Sequence, residues 1–77
     1  MGNKVAEILS RILKVPAAAV TDDLAMKDVE AWDSLKHMEM IVAFEEAYHI
    51  EFDFEEIVAM QTVASIKHVL VEKGIGA

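Results

Sequence analysis

The stretch from Lys36 to His49 limits what this chain can fold into more than any other part of the sequence. It contains no glycine or proline, and its apolar residues recur every three or four positions, which is the spacing of an amphipathic helix. We predict a helix over residues 34–48. Asp33 can serve as its N-cap, because the carboxylate can accept a hydrogen bond from a free backbone N–H group. Ser34 then lies exposed in the first helical turn.

This helix has two different faces when its residues are placed at 100° intervals. The apolar face should point into the core, and it holds His37, Met40, Ile41, Phe44, Ala47 and Tyr48. The opposite face carries Ser34 and places apolar side chains among acids: Leu35, Met38 and Val42 among Glu39, Glu45 and Glu46. An apolar patch surrounded by charge is typical of a transient protein interface. Packing of Met38 under the preceding loop is an equally good explanation of that residue.

The residues before this helix divide into a first helix and a long irregular loop. Residues 3–14 have apolar side chains at one-sided helical spacing, and Pro16 disfavours helical geometry at the residue before it. Residues 15–32 show no sustained period, and loops of this length inside a small domain are usually functional. We expect spaced apolar residues such as Val20 and Leu24 to hold the loop against the helices.

The residues after the central helix predict a short third helix and a longer fourth one. Asp53 and Glu56 have the spacing of a capping box, with aspartate in place of the usual serine or threonine. Thr62 can cap the fourth helix, and Gly74 can end it in the left-handed conformation. The sequence therefore predicts an all-α four-helix bundle with three longer helices, one short third helix and a long first loop.

Length and composition favour a single small domain over residues 1–77. The absence of cysteine excludes a disulfide framework, a thiolate metal site and a cysteine nucleophile. No apolar run approaches the roughly 18 residues of a membrane span, and we find no signal-peptide core. We expect a cytoplasmic monomer that does not insert into membranes.

The net charge of −7 is concentrated around the central helix. Residues 22–56 hold twelve acidic side chains and two basic ones, Lys27 and Lys36, whereas the rest of the chain has a small positive excess. Such a balance disfavours nucleic acid and anionic membranes as partners. The aspartates of the long loop lack the glycine and the terminal glutamate of an EF-hand, so we expect no metal site.

Asp33, Ser34 and His37 are the residue types of a hydrolytic triad, but they are nearly consecutive on one helix. A triad needs a base that reaches the nucleophile and a third group that orients the base. Three residues in this order cannot easily be linked in that way, and the G-x-S-x-G turn of many hydrolases is absent. We therefore do not expect an enzyme.

The triplet Asp33-Ser34-Leu35 and the following residues 38–48, with sequence MEMIVAFEEAY, resemble the acyl carrier protein family. The resemblance covers almost the whole chain, including the long loop, the short third helix and Thr62-Val63 at the start of the fourth. It implies an acyl-carrier-like bundle in which Ser34 bears 4′-phosphopantetheine. A separate, magnesium-dependent phosphopantetheinyl transferase would attach this group covalently from coenzyme A.

The resemblance also implies how partners recognise the chain. Acyl-loading and acyl-transferring enzymes would approach with basic docking patches. The matching recognition residues are Asp33, Leu35, Glu39, Val42, Glu45 and Glu46. Charge would speed and orient the encounter, while a small apolar centre would keep the contact brief.

Some positions depart from the family pattern. Ala31 replaces the glycine that usually precedes the D-S-L aspartate by two residues, and Lys36 is basic where acidic or neutral residues are common. Phe54 and Val58 stand where many fatty-acid carriers have acids. These departures favour a discrete carrier of a specialised pathway, such as polyketide synthesis, over the fatty-acid carrier.

Other functions remain open at this point. An aminoacyl, D-alanyl or peptidyl carrier would share the same motif. An unmodified helical interaction domain would use the acidic and apolar face for binding alone, so that Ser34 would be dispensable. A serine hydrolase would turn over esters without any partner.

Overall fold

The computed structural model of the protein describes residues 4–75. Its helices are α1 (Lys4–Leu13), α2 (Ser34–Tyr48), α3 (Phe54–Ala59) and α4 (Val63–Glu72). The all-α prediction is confirmed, and the bounds of α2 agree with the predicted 34–48. The first helix is one residue shorter than predicted at its C-terminal end, and Asn3 lies outside the described residues. Within residues 4–75, no helix has the length and apolar character needed to cross a membrane.

The start and end of α2 are fixed by local backbone chemistry. The Asp33 carboxylate accepts a hydrogen bond from the Lys36 backbone N–H at 2.9 Å, which confirms the predicted N-cap. At the other end, His49 adopts the left-handed conformation with a φ of 58°. A single left-handed residue is a common way to stop a helix, although glycine is the usual choice. The helix therefore ends where the chain turns back.

The caps of the last two helices also agree with the sequence. Asp53 and Glu56 form the capping box of α3, in which the Glu56 carboxylate accepts the Asp53 backbone N–H at 2.8 Å. The Thr62 hydroxyl accepts the Ser65 backbone N–H at 3.0 Å at the start of α4. Gly74 follows α4 with a φ of 88°, which side-chain-bearing residues rarely adopt.

The hydrophobic core lies between α1, α2 and α4. Five residues of α1, four of α2 and four of α4 are buried, and Trp32, Phe52 and Met60 join them from the connecting segments. The buried residues of α2 are His37, Met40, Ile41 and Phe44, as its apolar face predicts, and Ala47 and Tyr48 are half-buried. Helix α3 buries none of its six residues. Three helices therefore contribute buried residues to the core, and α3 lies at its edge.

The long first loop crosses the start of α4 and contains two 3₁₀ turns, Ala17–Ala19 and Met26–Asp28. Its backbone is tied down by hydrogen bonds from Met26 N–H to the Gln61 carbonyl at 2.8 Å and from Val63 N–H to the Leu24 carbonyl at 3.0 Å. Val20 is buried, and Leu24 packs against the core. These contacts confirm that spaced apolar residues hold the loop, and they bring its end to the start of α2.

Candidate functional site

Ser34 is the first residue of α2 and is exposed to solvent. The backbone of Asp33 is itself extended, and its side chain caps the helix, so the turn that carries the serine has a defined geometry. Apart from the Lys36 N–H that Asp33 caps, the first N–H groups of a helix have no acceptor within the helix and form the positive end of its dipole, which favours a neighbouring phosphate. The hydroxyl is therefore open to another protein and well placed to bear a phosphate ester.

Trp32 anchors the segment just before the serine. Its side chain is only 2% exposed, and the indole Nε1 donates a hydrogen bond to Nδ1 of His37 at 3.0 Å. The two ring planes differ by only 22°, with centroids 6.2 Å apart. The pair spans the turn that contains Ser34, because one partner precedes the serine by two residues and the other follows it by three. Sequence reasoning missed this burial, although a tryptophan in a small domain usually finds a core position.

His37 extends the contact to α3. Its Nε2 lies 2.8 Å from the backbone carbonyl oxygen of Ile57. An indole N–H can only donate, so Nδ1 must accept, and Nε2 therefore carries the ring hydrogen and donates to Ile57. Both ring nitrogens are engaged in this way, so His37 offers no base to Ser34. The hydrolytic triad considered from the sequence is not assembled here.

A cavity of about 240 Å³ opens beside the serine, between α2 and α3. Most of its wall is apolar, and it is lined by Met26, Ser34, His37, Met38, Ile57, Val58 and Gln61. Met38 thus contributes both to the cavity wall and to the surface, since about half of it remains exposed. Its half exposure is compatible with the interface hypothesis, which remains a prediction.

Two exposed apolar stripes flank this cavity. On α2, Leu35, Met38 and Val42 share one side of the helix at spacings of three and four residues. On α3, Phe54 and Val58 are four residues apart, and Phe54 is 78% exposed. Met38 and Val58 both line the cavity, so the stripes come together there. We call these five residues the α2–α3 face.

The acidic side chains around this face differ in their exposure and in their hydrogen-bond partners. Glu39 and Glu46 are exposed, and Glu39 lies 3.6 Å from the amine of Lys36 in a solvent-accessible pair of little strength. Glu45 is half-buried, and its carboxylate accepts the Phe52 backbone N–H at 3.0 Å. Glu45 therefore also holds the end of α2 to the segment before α3, a contact that the sequence did not reveal.

No group of three or more histidine, cysteine, aspartate or glutamate side chains in residues 4–75 is arranged to hold a metal ion. Of the site residues predicted from the sequence, Asp33, Ser34, Leu35, Glu39, Val42 and Glu46 lie exposed, and Glu45 is half-buried. They all lie on α2 or its cap.

The sequence was also compared with models of protein families. The model described as a phosphopantetheine attachment site matches residues 3–70. The match runs from the start of α1 into the last part of α4 and includes the Asp33-Ser34-Leu35 triplet. It agrees with the resemblance drawn from that triplet and from the order of the helices.

Proposed function

Because this chain belongs to the phosphopantetheine attachment site family, whose members bear a covalent 4′-phosphopantetheine, we propose that it is an acyl carrier protein with its arm on Ser34. The observation that carries the proposal is the exposed serine in the capped first turn of α2. Its hydroxyl is accessible to a transferase, and the N–H groups of the turn suit the phosphate that links the arm.

The arm supplies a thiol that holds acyl intermediates as thioesters. The residues of this chain prepare its attachment point. Asp33 fixes the turn, the dipole of α2 stabilises the phosphodiester, and the Trp32–His37 pair anchors the backbone before the serine. Because both nitrogens of His37 are engaged, His37 is not the base that activates the Ser34 hydroxyl, and we expect the transferase to supply that base.

The partner enzymes would recognise the outer surface of α2. Glu39 and Glu46 would attract basic residues, and Leu35 and Val42 would form the apolar centre of the contact. Asp33 would contribute charge beside the serine. Glu45 belongs to the same surface but would contribute less, because its carboxylate already binds the Phe52 N–H.

The apolar stripe of α3 extends this surface and bears on the type of partner. Val58 lines the cavity beside Ser34, and Phe54 lies one turn before it on α3, so this helix presents exposed hydrocarbon rather than carboxylates at both positions. A partner that fits both helices would therefore have basic residues opposite α2 and an apolar depression opposite α3. This combination favours enzymes of a specialised acyl pathway, with an aminoacyl or peptidyl route as the second candidate.

The loading test is an intact-mass measurement after incubation with coenzyme A, Mg²⁺ and a broad-specificity phosphopantetheinyl transferase. We expect a gain of one phosphopantetheinyl group in the native chain and none in Ser34→Ala. Ser65→Ala is the matched control, since Ser65 is half-buried near the start of α4, and it should load like the native chain. No gain on a folded protein would favour an unmodified interaction domain.

The recognition surface has its own test, in which affinity for the transferase is measured as salt is raised. Exposed charges are screened beyond about 10 Å at 0.1 M ionic strength, so affinity should fall with salt. Glu46→Gln should weaken binding and flatten the salt dependence, whereas Glu7→Gln on α1 should leave both unchanged. Salt-independent binding would mean that the acidic side chains do not contribute to recognition.

A further inference from the structure

Helix α3 is held differently from the other helices. None of its six residues is buried, and only Ile57 and Glu56 are half-buried. A helix of six residues is not stable by itself in water, because too few hydrogen bonds follow its costly nucleation. The apolar contacts of this segment are limited to Ile57, which packs against the core, and to Phe52 and Met60, which are buried just outside the helix.

Polar contacts add to these apolar ones in holding α3. The Glu56 carboxylate lies 3.0 Å from the Lys73 amine beyond the end of α4, and Glu45 binds the backbone N–H of Phe52 just before α3. The third contact is the hydrogen bond from His37 Nε2 to the Ile57 carbonyl. His37 is 8% exposed, so water competes with this bond less than with the Glu56–Lys73 pair.

Trp32 determines how His37 can make that bond. Its indole N–H occupies Nδ1, which leaves the ring hydrogen on Nε2, and the two ring planes lie within 22° of each other. One imidazole therefore joins three parts of the chain: the segment before Ser34, helix α2, and the backbone of α3. Removing the acceptor of the Trp32 bond would leave a buried indole N–H without its partner. The Ile57 carbonyl would still accept the Met60 backbone N–H at 3.3 Å.

We propose that His37, in the Nε2–H tautomer set by Trp32, is a positioning residue that holds α3 at a fixed distance from the Ser34 turn. This contact keeps the cavity between Met38 and Val58 open beside the serine and keeps the two stripes of the α2–α3 face in register. Its use in acyl transfer rests on the proposed carrier function. The positioning itself is a property of the unmodified chain and is tested on that chain.

Two substitutions of His37 separate its two hydrogen bonds. In His37→Asn, the side-chain oxygen replaces Nδ1 and can accept from Trp32, but no group reaches Ile57. In His37→Gln, the amide nitrogen replaces Nε2 and can donate to the Ile57 carbonyl. If the second bond positions α3, the asparagine variant should release this helix and the glutamine variant should retain it.

The measurement is amide hydrogen exchange of the unmodified protein, resolved by residue. In His37→Asn, we expect the α3 amides of Ile57, Val58 and Ala59 to exchange about tenfold faster, the size of effect expected for one lost hydrogen bond. The slowest amides of α1 and α4 should change much less. His37→Gln should restore most of the protection in α3.

Several results would overturn the proposal. Equal acceleration in all four helices of His37→Asn would mean that the residue only packs the core. Unchanged exchange in α3, or α3 amides already unprotected in the native chain, would mean that the bond does not hold the helix. Nitrogen chemical shifts that place the His37 ring hydrogen on Nδ1 would contradict the assigned tautomer.

Trp32→Phe provides a second variant if His37→Asn does not fold. It keeps an aromatic ring in the core but removes the indole donor, so the His37 ring should populate both tautomers and α3 should exchange faster. A single Nε2–H tautomer with native exchange in α3 would overturn the role of Trp32. Since no readout requires phosphopantetheine, failure here and failure of the loading test are distinguishable.

Discussion

Helices α3 and α4 follow each other in the chain and begin with similar caps, yet the rest of the fold holds them in different ways. Helix α4 buries Val63, Ile66, Val69 and Leu70, whereas α3 buries none of its residues. Each fully buried aliphatic side chain contributes about 1.5–3 kcal/mol, so the core determines the position of α4. Helix α3 is held by the half-buried Ile57 and by polar contacts with His37 and Lys73.

The helix with fewer buried residues, α3, is the one that lies beside the candidate site. Helix α3 forms one wall of the cavity beside Ser34, and α4 is part of the core. Segments with few buried apolar contacts open locally at a fraction of the global unfolding free energy. We therefore expect α3 to open before the rest of the bundle, with the Ser34 turn remaining in place on α2.

The largest expected effect comes from matched truncations in the two helices. Ile66→Ala should lower the free energy of unfolding by about 2–5 kcal/mol, because it leaves a cavity in the core. Val58→Ala in α3 removes a half-exposed side chain and should change the same quantity by no more than about 0.5 kcal/mol. Urea denaturation of both variants checks this, and similar losses would contradict the comparison.

The caps offer a second matched pair. Thr62→Ala should cost about 1 kcal/mol of unfolding free energy, because the hydroxyl satisfies the Ser65 N–H at the start of a helix that unfolds with the core. Asp53→Ala should act mainly on hydrogen exchange within α3 and less on global unfolding. Equal shifts of the denaturation midpoint in the two variants would contradict the expectation that α4 unfolds with the core and α3 opens separately.

A smaller, pH-dependent effect is expected at Glu56. The Asp53 backbone N–H and then Lys73 hold the pKa of this carboxyl below its ordinary value of 4.5. A lowered pKa in the folded state means that the charged form adds stability above the ordinary pKa, and that this is lost as pH falls through the lowered value.

Glu56→Gln should therefore increase α3 exchange at about pH 7, relative to the native chain, and the difference should shrink near pH 3. Glutamine keeps an acceptor for the Asp53 N–H, so the substitution mainly removes charge. Glu55→Gln is the control, because Glu55 is exposed on the same helix. If the difference in α3 exchange between Glu56→Gln and the native chain grew toward acid pH, the charged form of Glu56 would not be the stabilising one.

The smallest effect on stability is expected at Ser34 itself. An exposed serine in the first turn contributes little packing, so Ser34→Ala should alter the unfolding free energy by no more than about 0.5 kcal/mol. Thermal unfolding followed by circular dichroism measures it. A large loss of stability would mean that Ser34 is a structural residue and would count against its role as the attachment point.

The sequence predicted the features that local rules control. Asp33, Thr62 and Gly74 each act on a backbone group a few residues away, so caps and helix bounds followed from residue type and spacing. The apolar face of α2, including His37, followed from periodicity.

What the sequence did not show depends on contacts between distant residues. The bond from His37 ends on the backbone carbonyl of Ile57, twenty positions away, and any residue could supply that carbonyl. The contact from Glu45 likewise ends on the backbone N–H of Phe52. Trp32 lay in a segment without periodicity, so its burial and its partner needed the folded chain.

The attachment point is tested most directly by locating the attached group in the loaded protein with fragmentation mass spectrometry. We predict one phosphopantetheinyl group, with fragment ions that place it on Ser34. A group on Ser10 or Ser65, or a folded chain that takes up none, would contradict the claim that the capped turn at the start of α2 is the attachment point.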